Sequence, residues 1–291
     1  MKRVLITGCT GYIGSHLARA LLPDCEVYAL VRESLNTGYL ADIAEKLHLC
    51  PCDGTYESVE HVMRQASPEV IYHLATCYTG AHNGTVTPGM LAANITLGGY
   101  LLEAMCACGC DALVYASTIF THYRGENYRP LNLYAATKQA FSDLVEYYTD
   151  AGLMRALTLV LSDTYGPDDK RPKVLNLIKK AALSGEHIAL SDGGQDYDAV
   201  HIDDAVRAFC MAGHRVLTLP QGSETYQVVA EQPLTLRETV ETMLRVNALT
   251  LDAGWGERPS QEREIRRAIR LYPTLPGWRP EIPLEQGLSQ L

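Results

Sequence analysis

Residues 3–14 read RVLITGCTGYIG, and this stretch decides the fold. Its first five residues are mostly apolar and β-branched, which predicts a short buried strand. Gly8, Gly11 and Gly14 follow at three-residue spacing, and the run after them has the apolar spacing of a helix. A second apolar run at 26–31 completes the order strand, glycine turn, helix and strand. Because such glycines let a pyrophosphate approach the backbone and the helix N-terminus, the stretch predicts dinucleotide binding.

The residue after the second strand bears on the choice of cofactor. An acidic side chain at this point holds the ribose 2′-hydroxyl of NAD, whereas an arginine accommodates the 2′-phosphate of NADP. Here Arg32 follows the strand, with Glu33 next to it. We therefore expect NADP as the cofactor, with NAD still possible; the alternative reading of Arg32 is a solvated surface residue.

The alternation of strands and helices continues along the chain. Further strands are predicted at 47–50, 70–75, 112–116 and 156–161, and helices at 94–108 and 134–149. Six strands separated by helical segments predict an α/β fold, a Rossmann doubly wound parallel sheet with its ligand site at the carboxyl ends of the strands.

The texture of the sequence changes after residue 166, where proline, glycine and charged residues become common. We expect a dinucleotide-binding Rossmann domain formed by 1–163 together with about 198–216. The remaining ranges, 164–197 and 217–291, are expected to form a smaller C-terminal substrate-binding lobe. No repeat or low-complexity linker separates the two parts, so a single cooperative unit is predicted.

Composition excludes several classes of protein. Hydrophobic residues make up 47% and charged residues 20% of the 291, as in a globular protein with a sizeable core. The net charge of −9 disfavours nucleic acid as a partner. The apolar runs are strand-sized and no signal peptide is recognised, so we expect a cytoplasmic protein that does not bind a membrane. The nine cysteines lack the paired spacing of a zinc site, so no metal is expected and the thiols are expected to be reduced.

A candidate acid–base set follows the fifth strand. Ser117 and Thr118 end that strand, and Tyr134 and Lys138 lie one turn apart on the next predicted helix. A lysine ammonium near a phenol favours the phenolate, so we expect Lys138 to lower the pKa of Tyr134 and make it a proton donor and acceptor. A hydroxyl at the strand end can orient a substrate carbonyl.

With these motifs the chain resembles the extended short-chain dehydrogenase/reductases, the NAD-dependent epimerase/dehydratase family. The resemblance covers nearly the whole chain and rests on motifs at 7–14, 52–54, 73–76, 94–98, 117–118, 134–138, 165–167 and 200–204. It implies Tyr134 as the acid–base residue, Lys138 as its partner and ribose ligand, and Thr118 as the substrate-orienting hydroxyl, with Ser117 beside it.

The resemblance also implies the binding residues. Cofactor contacts are expected from Gly8, Thr10, Gly11, Tyr12, Ile13, Gly14, Arg32, Asp53, Gly54, Leu74, Ala75, Thr76, Asn94, Ser117, Tyr134, Lys138 and Leu161. The substrate, a nucleoside diphosphate sugar, is expected to contact Thr118, Tyr134, Asp163, Arg171, Lys173, Gln195 and Tyr197.

Two departures from the family narrow the expected function. The 4,6-dehydratases carry Asp-Glu directly after the active-site threonine, whereas this chain has Ile119 and Phe120, which transfer no proton. Tyr197 stands where the family often has an arginine that holds a phosphate, so Arg171 or Lys173 is expected to supply that contact. The chain most resembles the nucleotide-sugar 4-ketoreductases, such as the CDP-abequose and CDP-paratose synthases. That resemblance predicts an NADPH-dependent reductase of a 4-keto-6-deoxyhexose in deoxysugar biosynthesis.

Three further questions stay open at this stage. A nucleotide-sugar epimerase with tightly held NAD is the alternative enzyme, and a non-catalytic NADP-sensing regulator is the alternative from another class. The family forms dimers through the helices expected at 94–108 and 134–149, so a homodimer is expected. The apolar residues for that interface are Leu97, Leu101, Met105, Ala140, Leu144 and Tyr148. The alternative is that these side chains pack on the sheet of their own chain.

Overall fold

A parallel sheet forms the centre of the protein in the computed structural model, which describes residues 1–33 and 38–291. Within these ranges, seven strands lie in the order β11-β6-β5-β4-β1-β2-β3, and every neighbouring pair is parallel. The strands are β1 Arg3–Thr7, β2 Glu26–Arg32, β3 His48–Cys52, β4 Val70–His73, β5 Ala112–Thr118, β6 Arg155–Leu161 and β11 Gly222–Val228. From β1 the chain adds β2 and β3 on one side of the sheet, and from β4 it adds β5 and β6 on the other side. The strand order therefore reverses between β1 and β4. The predicted Rossmann-type α/β fold is confirmed.

Helices cover both faces of the sheet. One face carries α1 Tyr12–Leu21 and α7 Ile202–Val216, and the other carries α2 Tyr56–Ala66, α4 Leu97–Cys108 and α5 Leu133–Asp150. Side chains alternate between the two cores along β1: Val4 and Ile6 face α1 and α7, and Leu5 faces the opposite core. The sheet is therefore buried on both sides, as its near-continuous apolar strands predict.

One predicted boundary is wrong. The segment expected in the smaller lobe after residue 217 begins with β11, which is the edge strand of the large sheet and pairs with β6 along all seven of its residues. Tyr226 and Val228 on this strand are buried in the same core as α7. The strand was hard to assign because its first half, with Ser223 and Glu224, is polar, as an edge strand permits.

The smaller lobe packs around three short helices. These are α6 Val174–Ser184, α8 Leu236–Val246 and α9 Leu284–Leu288, which share one apolar cluster. Three two-stranded sheets complete the smaller lobe and its junction: β7 Asp163–Tyr165 with β10 Ala199–His201, β8 Ile188–Leu190 with β13 Ala253–Trp255, and β9 Asp196–Tyr197 with β12 Leu234–Thr235.

The helix before β5 is longer than predicted. It begins with α3 at Thr87–Leu91, continues through a π-helical segment at Ala92–Thr96 and runs on as α4. By length and composition, Thr87–Cys108 is one helix of the described ranges that could span a membrane. Within the fold, however, Leu101 and Met105 are fully buried in the core of their own chain.

This burial also corrects the expected dimer interface. Leu101 and Met105 are 0% exposed and Tyr148 is 8% exposed in a single chain, because they pack with α2 against the sheet. Leu97, Ala140 and Leu144 are partly exposed. The alternative of packing within one chain therefore holds for the first three residues.

A buried carboxylate ties the C-terminal segment to the Rossmann domain. Asp204, in the first turn of α7, accepts hydrogen bonds from the backbone N–H of Glu281 and Ile282, both at 3.0 Å, and pairs with Arg207 at 2.5 Å. The indole of Trp278 donates to the backbone carbonyl of Asp204 at 2.9 Å. Asp204 thus holds the first residues of the segment after 277 against α7.

We predict that Asp204→Ala lowers the free energy of unfolding by about 3 kcal/mol, because it leaves two backbone N–H groups and an arginine without their buried acceptor. Asp203→Ala is the matched control: its side chain is 65% exposed, so a loss below about 1 kcal/mol is expected. Urea titrations followed by circular dichroism measure both. Equal losses in the two variants would contradict this role for Asp204.

Candidate active site

Gly8, Gly11 and Gly14 form the turn after β1, which we call the cradle. Its backbone is packed so closely that it leaves no room for a side chain at Gly8 or Gly14. A Cβ on Gly8 would lie 2.6 Å from the backbone nitrogen of Ala75, and one on Gly14 would lie 2.2 Å from the carbonyl oxygen of Gly8. Gly8 also has a φ of +74°. Gly11 donates its N–H to the Gly8 carbonyl at 3.0 Å, which closes the turn. The cradle therefore brings the β1 turn against the chain that leaves β4.

The first turn of α1 is open to an anion. Gly11 caps the helix without a side-chain hydrogen bond, and the first turn holds no acidic residue. Thr10 and Ile13 of the same loop are partly exposed. Free N–H groups and the positive end of the helix dipole suit a pyrophosphate, so the cradle fits a dinucleotide cofactor. The Tyr12 hydroxyl donates to the Pro167 carbonyl at 3.0 Å, so its side chain braces the loop after β7, and its contact with the cofactor stays a prediction.

The residues expected near the adenosine lie at neighbouring strand ends. Arg32 ends β2, is exposed, and is paired in register with Cys52, which ends β3. Asp53 and Gly54 follow directly. The Asp53 carboxylate accepts from the N–H and hydroxyl of Thr55, and these hydrogen bonds lower the pKa of Asp53. A guanidinium and a fixed carboxylate thus stand side by side at the rim of the cradle.

One buried amide joins the chain after β4 to α5. Asn94 is 2% exposed; its Oδ1 accepts from the N–H of Cys77 at 2.7 Å and the hydroxyl of Thr76 at 3.1 Å. Its Nδ2 donates to the Cys77 carbonyl at 3.0 Å and to Oγ1 of Thr137 at 2.9 Å. All the hydrogen-bonding capacity of the amide is used. Because Thr137 lies between Tyr134 and Lys138, Asn94 places both of them relative to Leu74, Ala75 and Thr76.

Strand β5, which packs against α5, ends with two residues that carry hydroxyl groups. Ser117 and Thr118 are each 7% exposed, and Thr118 lies in register with Leu161 of β6. The Thr118 hydroxyl accepts the N–H of Phe120 at 3.3 Å and remains able to donate. Ile119 is buried beneath the segment 265–272. Apolar side chains therefore line the chain that leaves β5.

Tyr134 begins α5 and faces an aromatic neighbour that the sequence did not single out. The ring of Tyr78 meets it edge-on, with centroids 4.9 Å apart. Burial raises the pKa of Tyr134, the Asp163 carboxylate adds to the rise, and a hydrogen bond with Thr76 opposes it. Tyr78 lies in an irregular stretch before α3 that has no periodic pattern, so no sequence signal pointed to it.

The expected effect of Lys138 on the pKa of Tyr134 stays a prediction, and the Lys138 ammonium contacts a different tyrosine. The Lys138 ammonium lies over the ring of Tyr115, 4.4 Å from its centroid, and burial lowers the pKa of Lys138 to about 7. For Tyr134, burial outweighs any such help. Burial thus favours the neutral phenol of Tyr134, which is the form that donates a proton.

The two basic residues expected to hold a phosphate are both paired. Arg171 binds the buried carboxylate of Asp169 at 2.8 Å and the Thr164 carbonyl at 2.9 Å, and it stacks over Tyr12. Lys173 pairs with Asp163 at 2.5 Å. Arg171 is therefore committed to the loop after β7, whereas the Lys173 pair is about one-quarter exposed and borders the active site.

The other expected substrate residues lie beside this pair. Burial and the Asp163 carboxylate raise the pKa of Tyr197, so its phenol shares the site with Asp163. Gln195 donates to Ser191 at 3.5 Å, and its buried Oε1 has no hydrogen-bond partner among residues 1–33 and 38–291. Tyr197 thus occupies the site as a neutral phenol, without the positive charge of the arginine usual at this position.

A cavity of about 800 Å³ opens next to the chain that leaves β5. It is lined by residues 123–125, Asp192, 260–262 and 264–271, which include the arginines Arg124, Arg266, Arg267 and Arg270. Arg266 and Arg270 are bound by Asp192 and Asp198. Arg267 is 84% exposed and makes a single 3.2 Å contact with Asp196. None of the expected site residues comes from 260–271, because the arginines of this segment form no motif.

Comparison with known proteins agrees with this geometry. Residues 4–228 match the model of the NAD dependent epimerase/dehydratase family. The chain belongs to this family. It is an NAD(P)-dependent enzyme of the extended short-chain dehydrogenase/reductase type, as the sequence predicted.

Its relatives carry two kinds of name. A CDP-abequose synthase of Yersinia pseudotuberculosis is 25% identical, over 89% of this chain and 90% of the relative. A UDP-glucose 4-epimerase of Azospirillum brasilense is 27% identical, over 96% and 87% respectively. Among solved structures, the UDP-glucose 4-epimerase of Thermus thermophilus in complex with NAD has a similar fold, with a TM-score of 0.82 and 25% sequence identity. The superposition covers 99% of this chain and 97% of the epimerase chain.

We predict that Gly8→Ala weakens NADP(H) binding about 100-fold, because the added Cβ pushes the chain at Leu74 and Ala75 away from the cradle. Gly109→Ala is the matched control: Gly109 has a similar φ of +71° but open space around it. Both variants should lose about 1 kcal/mol of stability from the left-handed backbone, and Gly8→Ala should lose more because of its backbone clash. Isothermal titration calorimetry with NADPH separates them, and equal affinity in the two variants would refute the steric argument.

Proposed function

We propose that this enzyme reduces the ketone at C4 of a nucleotide-linked 4-keto-6-deoxyhexose with NADPH. The observation that carries the proposal is the pair Ile119 and Phe120 directly after Thr118. Neither side chain transfers a proton, so water elimination at this end of β5 has no acid or base from them. The chemistry that suits the site is a hydride transfer coupled to one proton from Tyr134. Relatives named CDP-abequose synthase support the same assignment.

The residues take distinct parts in this reaction. A bound nicotinamide cofactor supplies the hydride. Thr118 donates a hydrogen bond to the substrate oxygen, and Tyr134 gives that oxygen its proton. The reductase direction uses the neutral phenol of Tyr134 as the donor, and burial favours that form. Lys138 holds positive charge beneath the site, where it would also bind a ribose.

We place the nucleoside diphosphate in the cavity beside Arg124 and Arg267. Its volume of about 800 Å³ is within the range of small-molecule sites. Arg124 is exposed, and Arg267 makes only one long contact, so both can turn to a phosphate. The sugar would then extend toward Thr118, past the Asp163–Lys173 pair. That pair offers both a hydrogen-bond acceptor and a donor to sugar hydroxyls.

A nucleotide-sugar 4-epimerase is the second candidate. It is favoured by several relatives with that name and by a solved structure of similar fold that holds NAD. The same Tyr134 and Thr118 would serve it, because an epimerase oxidises and then reduces the same carbon. The two candidates differ in cofactor: a reductase exchanges it each turnover, whereas an epimerase retains it.

We also propose that the enzyme is a homodimer that pairs α4 and α5 with the same helices of a second copy. Tyr147 on α5 is 65% exposed and Leu91 at the end of α3 is 41% exposed. Leu97, Ala140 and Leu144 are partly exposed beside them. An apolar face of this kind is suited to a self-complementary interface.

We predict that Tyr134→Phe lowers the rate of NADPH oxidation with a nucleotide-linked 4-keto-6-deoxyhexose about 10²- to 10⁴-fold, because the proton donor is lost. NADPH affinity should remain within about threefold, since the ring is kept. Tyr128→Phe, at a tyrosine that is 61% exposed, is the control and should keep full activity. Retention of turnover in Tyr134→Phe would overturn the acid–base assignment.

We predict that Arg32→Ala weakens NADPH binding about 10- to 100-fold and leaves NADH binding unchanged, because a charged hydrogen bond to the 2′-phosphate is lost. Glu33→Ala is the neighbouring control and should not weaken NADPH binding. Fluorescence titration with both nucleotides measures the effect. An equal loss for NADH and NADPH would show that Arg32 does not read the 2′-phosphate.

A further inference from the structure

Lys138 is a basic residue whose side chain is buried in the interior of the protein. It is 3% exposed, among the most buried polar residues of the protein. Burial disfavours an ammonium group, because the low-dielectric interior solvates it poorly. A lysine that must remain charged and fixed in direction at this point needs a compensating partner.

Tyr115 of β5 meets Lys138 at two points. The face of its ring lies 4.4 Å from the Lys138 ammonium, well inside the ~6 Å limit for a cation–π interaction. Its hydroxyl donates to the backbone carbonyl of Lys138 at 3.1 Å. The same side chain therefore contacts both the ammonium group and the helix turn that carries it.

The ring of Tyr115 is itself held in place. It is 0% exposed, and Phe141 packs edge-on against it with centroids 4.7 Å apart. Phe141 in turn occupies space left by Gly98 on α4, where a Cβ would lie 2.3 Å from the ring. Gly98 thus lets Phe141 fix the tyrosine from the side opposite the sheet neighbours.

The other titratable groups around the ammonium do not compete with Tyr115. His73 of β4 stacks on Tyr115 at 5.9 Å, and burial together with the charge of Lys138 lowers the pKa of His73 to about 3. His73 is therefore neutral at physiological pH, and its Nδ1 is hydrogen-bonded to Thr7 at 2.7 Å. Tyr134, on the same helix, is also neutral. The ring of Tyr115 is the π face on which the ammonium rests.

We propose that Tyr115 is a positioning residue for the oxidoreductase reaction: its ring face holds the Lys138 ammonium, and its hydroxyl fixes the backbone that carries it. The ring stabilises the charged form of Lys138 over the neutral amine. The inference rests on the use of Lys138 by this family and not on the identity of the sugar. It applies equally to a reductase and to an epimerase.

The test changes the electron density of the ring without changing its shape. Tyr115 is replaced by Phe, by 4-fluorophenylalanine and by 3,4,5-trifluorophenylalanine. The pKa of Lys138 is measured from the pH dependence of its labelling by an amine-reactive reagent, read by peptide mass spectrometry with exposed Lys180 as the reference. The pKa of Lys138 should fall with each step of fluorination, by about one unit across the three variants. An unchanged pKa across the series would overturn the proposal.

A matched series at Tyr28 is the control. Tyr28 is also a buried tyrosine of the sheet, on the same face as Tyr115, but it stacks on His48 of β3. Fluorination there should leave the pKa of Lys138 unchanged, and an equal fall in both series would overturn the proposal. The labelling uses no sugar substrate, so a failure of the proposed reductase activity does not affect this result.

Discussion

The four hydrogen bonds of the Asn94 amide are the constraint on which the active site depends. The cradle at Gly8 packs against Ala75, which is two residues before Cys77. The Asn94 amide is hydrogen-bonded to both the N–H and the carbonyl of Cys77. The same amide reaches Thr137 on α5. One side chain thus fixes the distance between the cofactor cradle and the helix with the acid–base residues. A buried amide with every donor and acceptor satisfied has no competing arrangement of similar energy.

The packing around this amide sets the electrostatics of the site. Burial favours the neutral phenol of Tyr134 and lowers the pKa of Lys138 to about 7. The Lys173–Asp163 pair places opposite charges on the side facing the smaller lobe. The site therefore combines buried groups at Tyr134 and Lys138 with a partly exposed charged pair at Lys173 and Asp163.

Much of the fold was predictable because it depends on local patterns. The glycine turn at 8–14 and the apolar strands of a parallel sheet have strong periodic signals, and both are present as expected. The seventh strand was missed because an edge strand needs only one apolar face, so Ser223 and Glu224 concealed it. The start of the long helix before β5 was also missed, since the residues from Thr87 include Pro88 and Gly89 and lack a helical apolar pattern.

Part of the candidate site was also predictable, because some of its residues belong to local sequence motifs. Tyr134, Lys138, Thr118 and Asn94 belong to motifs, and the fold brings them together. Arg171 was expected to bind a phosphate, but its partner Asp169 is two residues away and buried, a pairing that a charge pattern cannot distinguish from two solvated residues. Tyr78 and the arginines of 260–271 come from irregular segments. Their positions follow from tertiary packing, which spacing along the chain does not encode.

The most direct test of the proposed reductase is to denature the purified protein, identify any nucleotide that it releases, and titrate the emptied protein with NADPH and NADH. A reductase that exchanges its cofactor at each turnover should release little nucleotide and bind NADPH more tightly than NADH. Release of one equivalent of NAD per chain would contradict this account and identify an enzyme that keeps its cofactor, as the epimerase alternative requires.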